Sequence, residues 1–261
     1  MSGDRPRQIV TVLAFIVTLA VNGAANALPI NGQTTGQISD RFQVYVIPAG
    51  YVFAIWGVIY VGLLAYTIFQ AVRGDHPVVR RIGWLPAISG ILNTVWLLLF
   101  QYEQFVLTVP LMVALLLTLI AIHLRLWSVR DQLDTASRWA VRIPFSVYLG
   151  WITVATIANI AQTLSAVGFD GFGIEPMLIA SAVLLLGLAI AAHFVWRFGD
   201  VAYGLVIVWA YVGIVAKEAD TALVPLVAGA GALVIAGLIV MGLAGRLPES
   251  APAPDVRAGR A

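Results

Sequence analysis

Hydrophobic positions along this 261-residue chain gather into long runs, and polar positions fall between them. Eight runs approach the ~20 residues that a helix needs to cross a bilayer. They lie near 8–28, 49–72, 82–101, 104–126, 138–164, 175–197, 200–217 and 222–246. Short polar joints at Gln101–Gln104 and Phe198–Asp200 predict tight hairpins between antiparallel neighbours. Barrel strands would be about ten residues long and alternating, so the pattern predicts an all-α, polytopic transmembrane helical bundle of about eight spans.

Composition supports a lipid environment. Hydrophobic residues make up 61% of the chain and charged residues 11%, where a soluble domain carries about a quarter charged residues. Mean hydropathy is +0.93. The basic residues are spread between apolar runs, so the pI near 9.1 points to no nucleic-acid partner. No cysteine is present, which excludes disulfides, thiolate metal sites and cysteine nucleophiles.

Charge gives the orientation. With the N-terminus placed in the cytoplasm, only Arg41 and Lys217 of the 15 basic residues fall outside. That bias obeys the positive-inside rule at every loop and predicts both termini on the cytoplasmic side; the membrane expected is a bacterial cell membrane. A second reading concerns the first run, where Arg5 and Arg7 precede an apolar stretch ending in Ala25-Asn26-Ala27, a signal-peptidase-like pattern. The run is long for such a leader, and a retained first helix is the expectation.

The largest loop, residues 29–48, is rich in Gly, Gln, Thr and Asn. Twenty residues is long for a plain connection, so the loop is either a lid or a tether. Small residues crowd the last span, which suits close helix packing.

Polar and aromatic residues are not scattered within the spans. Tyr148, Trp151, Ala155 and Asn159 share one helix face by their spacing. So do Asn93, Trp96 and Phe100 on the third span, Phe53, Trp56 and Tyr60 on the second, and Asn22 and Asn26 on the first. An amide facing lipid forfeits its hydrogen bonds, so these stripes should turn inward. Two readings fit them. Amides between helices bind helices together, and indoles with amides at mid-depth also wall a pocket for a large, flat, weakly polar ligand. Trp84, Trp127 and Trp139 are expected to be interfacial anchors.

Three motifs in register resemble the TspO/MBR family, the tryptophan-rich sensory proteins related to the mitochondrial translocator protein. They are Phe53, Trp56 and Tyr60 on the second span, Leu92, Asn93 and Trp96 on the third, and Tyr148, Trp151, Ala155 and Asn159 on the fifth. The resemblance covers roughly residues 8–164. Departures are Ala49 after Pro48 in place of paired prolines, a Phe53-to-Trp56 gap one residue short, and Pro144 earlier than usual. The resemblance implies a five-helix core over 1–164; the three additional helices over 165–247 have no counterpart in that core, and the Pro- and Ala-rich tail over 248–261 is expected to be disordered. It further implies a pocket for tetrapyrroles such as protoporphyrin or haem, and sometimes sterols, capped by the loop after the first span. A sensory, regulatory or transport role follows, with no covalent cofactor. Some bacterial members are associated with light-dependent porphyrin breakdown, so the resemblance leaves weak enzymatic activity open. The oligomeric state also stays open, a homodimer included.

Other chemistries lack their residues. A haem-redox protein needs mid-membrane axial histidines, but His76 is in a loop, and His123 and His193 lie near inner helix ends, where they are expected to snorkel. Retinal would need a mid-span lysine, and Lys217 is at an outer end. Neither a metal site nor a catalytic constellation is recognisable. The remaining alternative is a secondary transporter of a small amphipathic solute. Its usual intramembrane acids are not apparent, since Glu103, Asp170, Glu175 and Asp200 lie at span ends or in loops.

Overall fold

Apolar runs without a polar stripe every second residue fold as helices, and in lipid a helix satisfies its own backbone hydrogen bonds. A computed structural model describes residues 4–28 and 30–246, without the side chain of Asn26. The expected disordered tail, 248–261, lies outside the described residues. Eight long helices are present among those described: α1 (Asp4–Ala27), α2 (Ile55–Val72), α3 (Leu85–Gln101), α4 (Phe105–Trp127), α5 (Ile143–Ala166), α6 (Pro176–Phe198), α7 (Val201–Lys217) and α8 (Leu223–Leu243). Six of them, with their flanking turns, are long and apolar enough to cross a membrane, while α3 and α7 are apolar helices of 17 residues. Seventeen residues rise about 25 Å, a little under the ~30 Å hydrocarbon thickness. The all-α polytopic bundle is therefore the observed fold.

Helix α5 is the hub. It packs against α2, α4 and α7, and it buries residues on nearly every face, from Phe145 and Tyr148 to Gln162 and Thr163. The close approach to α7 depends on Gly150. A Cβ there would stand 3.0 Å from the Val206 Cβ and 3.1 Å from the Tyr203 carbonyl oxygen. Pro144 lacks the N–H of a regular helix and its ring would crowd the carbonyl four residues back. The backbone answers with a π-helical stretch, Arg138–Arg142, in which the Ile143 N–H donates to the Arg138 carbonyl. Helices α6, α7 and α8 pack on one another, and α7 joins them to α5 in a single continuous core.

The first helix is bound into the bundle by side chains. The Thr18 hydroxyl lies 3.0 Å from that of Thr94 and 3.0 Å from the Gly90 carbonyl on α3. Arg7 donates to the Gly74 carbonyl after α2 at 2.8 Å. Both predicted hairpins are present, between α3 and α4 and between α6 and α7.

Two expectations about ionisable groups need correction. His193 is exposed, but His123 is only 4% exposed and does not snorkel. Its Nδ1 lies 3.5 Å from Asp200 Oδ2, among the rings of Phe194, Phe198 and Trp127. Asp200 belongs to the connection before α7, as the sequence suggested, yet it is buried. It caps α7 by accepting from the Tyr203 N–H at 3.1 Å and also accepts from the Ser146 hydroxyl at 2.6 Å. Helix capping has turned the carboxylate inward, onto α4 and α5.

Candidate functional site

The long loop after α1, hereafter the lid, folds against the end of α3. It contains a turn of 3-10 helix (Ile30–Gly32) and a short helix (Thr35–Asp40) that opens on a capping box at Thr34 and Gln37. One residue fastens it. Gln101, fully buried at the end of α3, donates from Nε2 to the carbonyls of Ile30 and Gln33 at 3.3 and 3.0 Å. Its Oε1 accepts from the Thr35 hydroxyl at 3.1 Å, and its carbonyl accepts from Asn31. Arg41 adds an ion pair to Glu103 at 2.8 Å, and the Phe42 ring stands edge-on to Phe105.

Beneath the lid is a cavity of about 50 Å³. Its roof is Thr35, Ser39, Ile47 and Pro48, and its walls come from α3, α5 and the entry to α2. Of the residues singled out by spacing, Phe53, Trp56, Trp96, Phe100, Trp151, Ala155 and Asn159 all line it. The rings are interlocked. Phe53 and Trp56 stand edge-on to Trp151, with centroids 5.5 and 6.2 Å away, and Trp96 stacks on Phe100 at 5.3 Å.

The other candidates do other work. Asn93 is fully buried, donates to the Tyr148 hydroxyl at 3.0 Å and accepts from Asn22 at 3.2 Å. This chain ties α1, α3 and α5 together away from the cavity, which is the helix-binding reading of those three residues. Tyr60 stacks on Trp56 and is not in the cavity wall. The Asn26 side chain lies outside the described residues. Asn159 plays both parts, since it faces the cavity while its Nδ2 donates to the Thr108 hydroxyl on α4 at 2.9 Å.

The most informative feature of the cavity is what its polar atoms lack. Trp96 Nε1, Trp151 Nε1 and Gln162 Nε2 are buried donors with no hydrogen-bond partner, and all three residues line the same space. A buried unsatisfied donor costs roughly 1–3 kcal/mol. Three around one cavity are a set of donors that suits the acceptor atoms of a ligand. Gln162 was missed by motif matching, though its spacing from Trp151, Ala155 and Asn159 places it on the same stripe. Thr35 and Ser39 could not be found that way, because their helix is only six residues long and its polar sequence carries no apolar period to follow.

Size limits what enters. A cavity must reach roughly 150 Å³ to admit a benzene ring, so a tetrapyrrole requires the lid to lift and the rings to part. Amides, hydroxyls and indoles supply the polar lining; no acid, imidazole or thiol is among the described residues lining the cavity. The lining therefore suits a metal-free macrocycle better than one whose iron needs an axial ligand. A larger groove of about 300 Å³ lies between α1 and α3, walled by Leu13, Val17, Ile91 and Val95. It is aliphatic and holds none of the unpartnered donors, which suits lipid chains.

In comparison with known proteins, a family model described as TSPO-like protein matches residues 8–241, continuing past α5 through α6, α7 and nearly all of α8. No curated protein and no solved structure matches the chain.

Proposed function

The chain belongs to the TSPO-like protein family, and on that premise we propose that this integral membrane protein binds a flat, weakly polar ligand beneath its lid. The class that suits the cavity is the tetrapyrroles, with protoporphyrin favoured over haem, and a sterol as the second ligand class. The carrying observation is that Trp96, Trp151 and Gln162, each with an unpartnered buried donor, line one aromatic-walled space. Its role is sensory, regulatory or transport.

The test is an equilibrium titration of purified protein with protoporphyrin, a sterol and an unrelated amphiphile, read by indole emission. Saturable quenching by protoporphyrin alone supports the reading, and equal response to all three rejects it. The lining holds no general acid or base. Any conversion of bound porphyrin is accordingly expected to need light and oxygen, and product formed efficiently in darkness would reveal a catalytic group elsewhere.

The proposed orientation, with cytoplasmic termini, rests on the placement of the arginines, and the proposed location is a bacterial cell membrane. Asp40 and Asp75 are exposed at opposite ends of the bundle. Single cysteines can be placed in this chain without background. Asp40→Cys is expected to react with an impermeant maleimide on intact cells, and Asp75→Cys only after lysis. The reversed pattern would invert the orientation.

One observation favours the transporter alternative. Asp200 and His123 form a buried ionisable pair at the Arg-rich end, the kind of group that couples protons to solute movement. Uptake into vesicles that follows an imposed pH gradient, and is lost in Asp200→Asn, would favour it.

A further inference from the structure

Between the lid and α2 runs a short segment, 46–54, that has a different neighbour on each side. Toward the bundle centre, Ile47, Pro48 and Phe53 line the cavity. The other side rests on α7. Trp209 Nε1 donates to the Val52 carbonyl at 3.0 Å, one of the carbonyls in the 3-10 turn Gly50–Ala54. One helical turn further on, the Gly213 carbonyl accepts from the Ala49 N–H at 3.1 Å. The Tyr51 ring stands edge-on to Trp209 at 5.4 Å.

Contact at Gly213 is as close as backbone permits. A Cβ at that position would sit 2.1 Å from Val52 Cγ2 and 3.1 Å from Pro48 Cβ. Val52 is fully buried, so it has nowhere to retreat. Helix α7 is itself fixed to α5 along its first two turns, through Tyr203 and Val206 against Gly150 and through Asp200 and Ser146 at its start. The segment that carries the lid into α2 is thus held by a helix that packs on α5 and α8.

We propose that Trp209 and Gly213 are positioning residues for the ligand site, through which α7 holds the hinge of the lid and sets how often it lifts. The last three helices then brace the entrance to a cavity built by the first five. The proposal rests on the cavity being the ligand site, but lid movement is measurable with no ligand present. For the lid to swing, the hydrogen bonds at Val52 and Ala49 must break. Loss of one such bond, at about 1 kcal/mol, corresponds to about a fivefold change in opening.

The experiment uses the full chain with one reporter cysteine. Ser39 lines the cavity roof at 7% exposure, so Ser39→Cys reacts with a maleimide when the lid lifts. Ser89, buried on α3 and outside the cavity lining, supplies a control as Ser89→Cys. In Trp209→Phe the ligand-free labelling rate at position 39 is expected to rise about fivefold. In Gly213→Ala it should rise at least as much, with position 89 unchanged in both. Protoporphyrin dissociation should quicken by the same factors. Unchanged rates at position 39, or equal rises at both positions, would overturn the brace. A faster lid with no porphyrin binding in the parent protein would leave the brace standing and reject the ligand reading.

Discussion

Asn93→Leu is expected to lower the stability of the bundle by about 2 kcal/mol while leaving affinity for protoporphyrin within about twofold. Asn93 is fully buried and bridges Asn22 on α1 and Tyr148 on α5. Interhelical hydrogen bonds in membranes contribute about 0.6–1.7 kcal/mol each. Leucine keeps the branched outline, at a somewhat larger volume, but removes both bonds and strips the buried Tyr148 hydroxyl of its amide partner. Because Asn93 does not line the cavity, ligand should scarcely notice. Denaturant unfolding in micelles and a porphyrin titration, run on the same preparation, check both halves. Weak binding with unchanged stability would return Asn93 to the ligand wall.

Trp151→Leu should do the reverse, with affinity falling by about 2–3 kcal/mol, the scale of a lost aromatic wall and its buried area. Trp151 is 2% exposed and is the ring against which Phe53 and Trp56 both rest. Some stability is lost too, since the smaller side chain leaves space in a packed cluster. Trp151→Phe separates the two effects. It keeps one aromatic ring but removes Nε1, which has no protein partner, together with part of the fused ring system. Relief of the unpartnered N–H offsets part of the cavity cost, so stability should fall less than in Trp151→Leu, whereas affinity falls by about 1 kcal/mol if that N–H serves the ligand. Equal affinity in Trp151→Phe and the parent would remove the indole donor from the account.

Much of this architecture was legible because lipid imposes length and polarity together. Every predicted span coincides with a helix, and the joints at Gln101–Gln104 and Phe198–Asp200 are the hairpins observed. The site was legible in part. Spacing places Trp151, Ala155 and Asn159 on one face of α5 correctly, and they do face the cavity. It could not tell that Asn22, Asn93 and Tyr148 would meet one another, because a shared helix face says nothing of how neighbouring helices are rotated. His123 and Asp200 escaped for a related reason. They are far apart in the chain, and an aspartate in a hairpin looks solvated until its capping role turns it inward. Trp209 was invisible as a brace, since its partner is a backbone carbonyl, and carbonyls leave no mark in a sequence.

Occupancy of the space beneath the lid is the central claim, and the reactivity of Ser39→Cys measures it most directly. Ser39 lines the cavity, so an occupant covers it. The labelling rate should fall as protoporphyrin is added, with the same half-saturation as the quenching of indole emission. If quenching saturates while the labelling rate does not change, porphyrin binds elsewhere, with the groove between α1 and α3 the next place to look, and the cavity is not the ligand site.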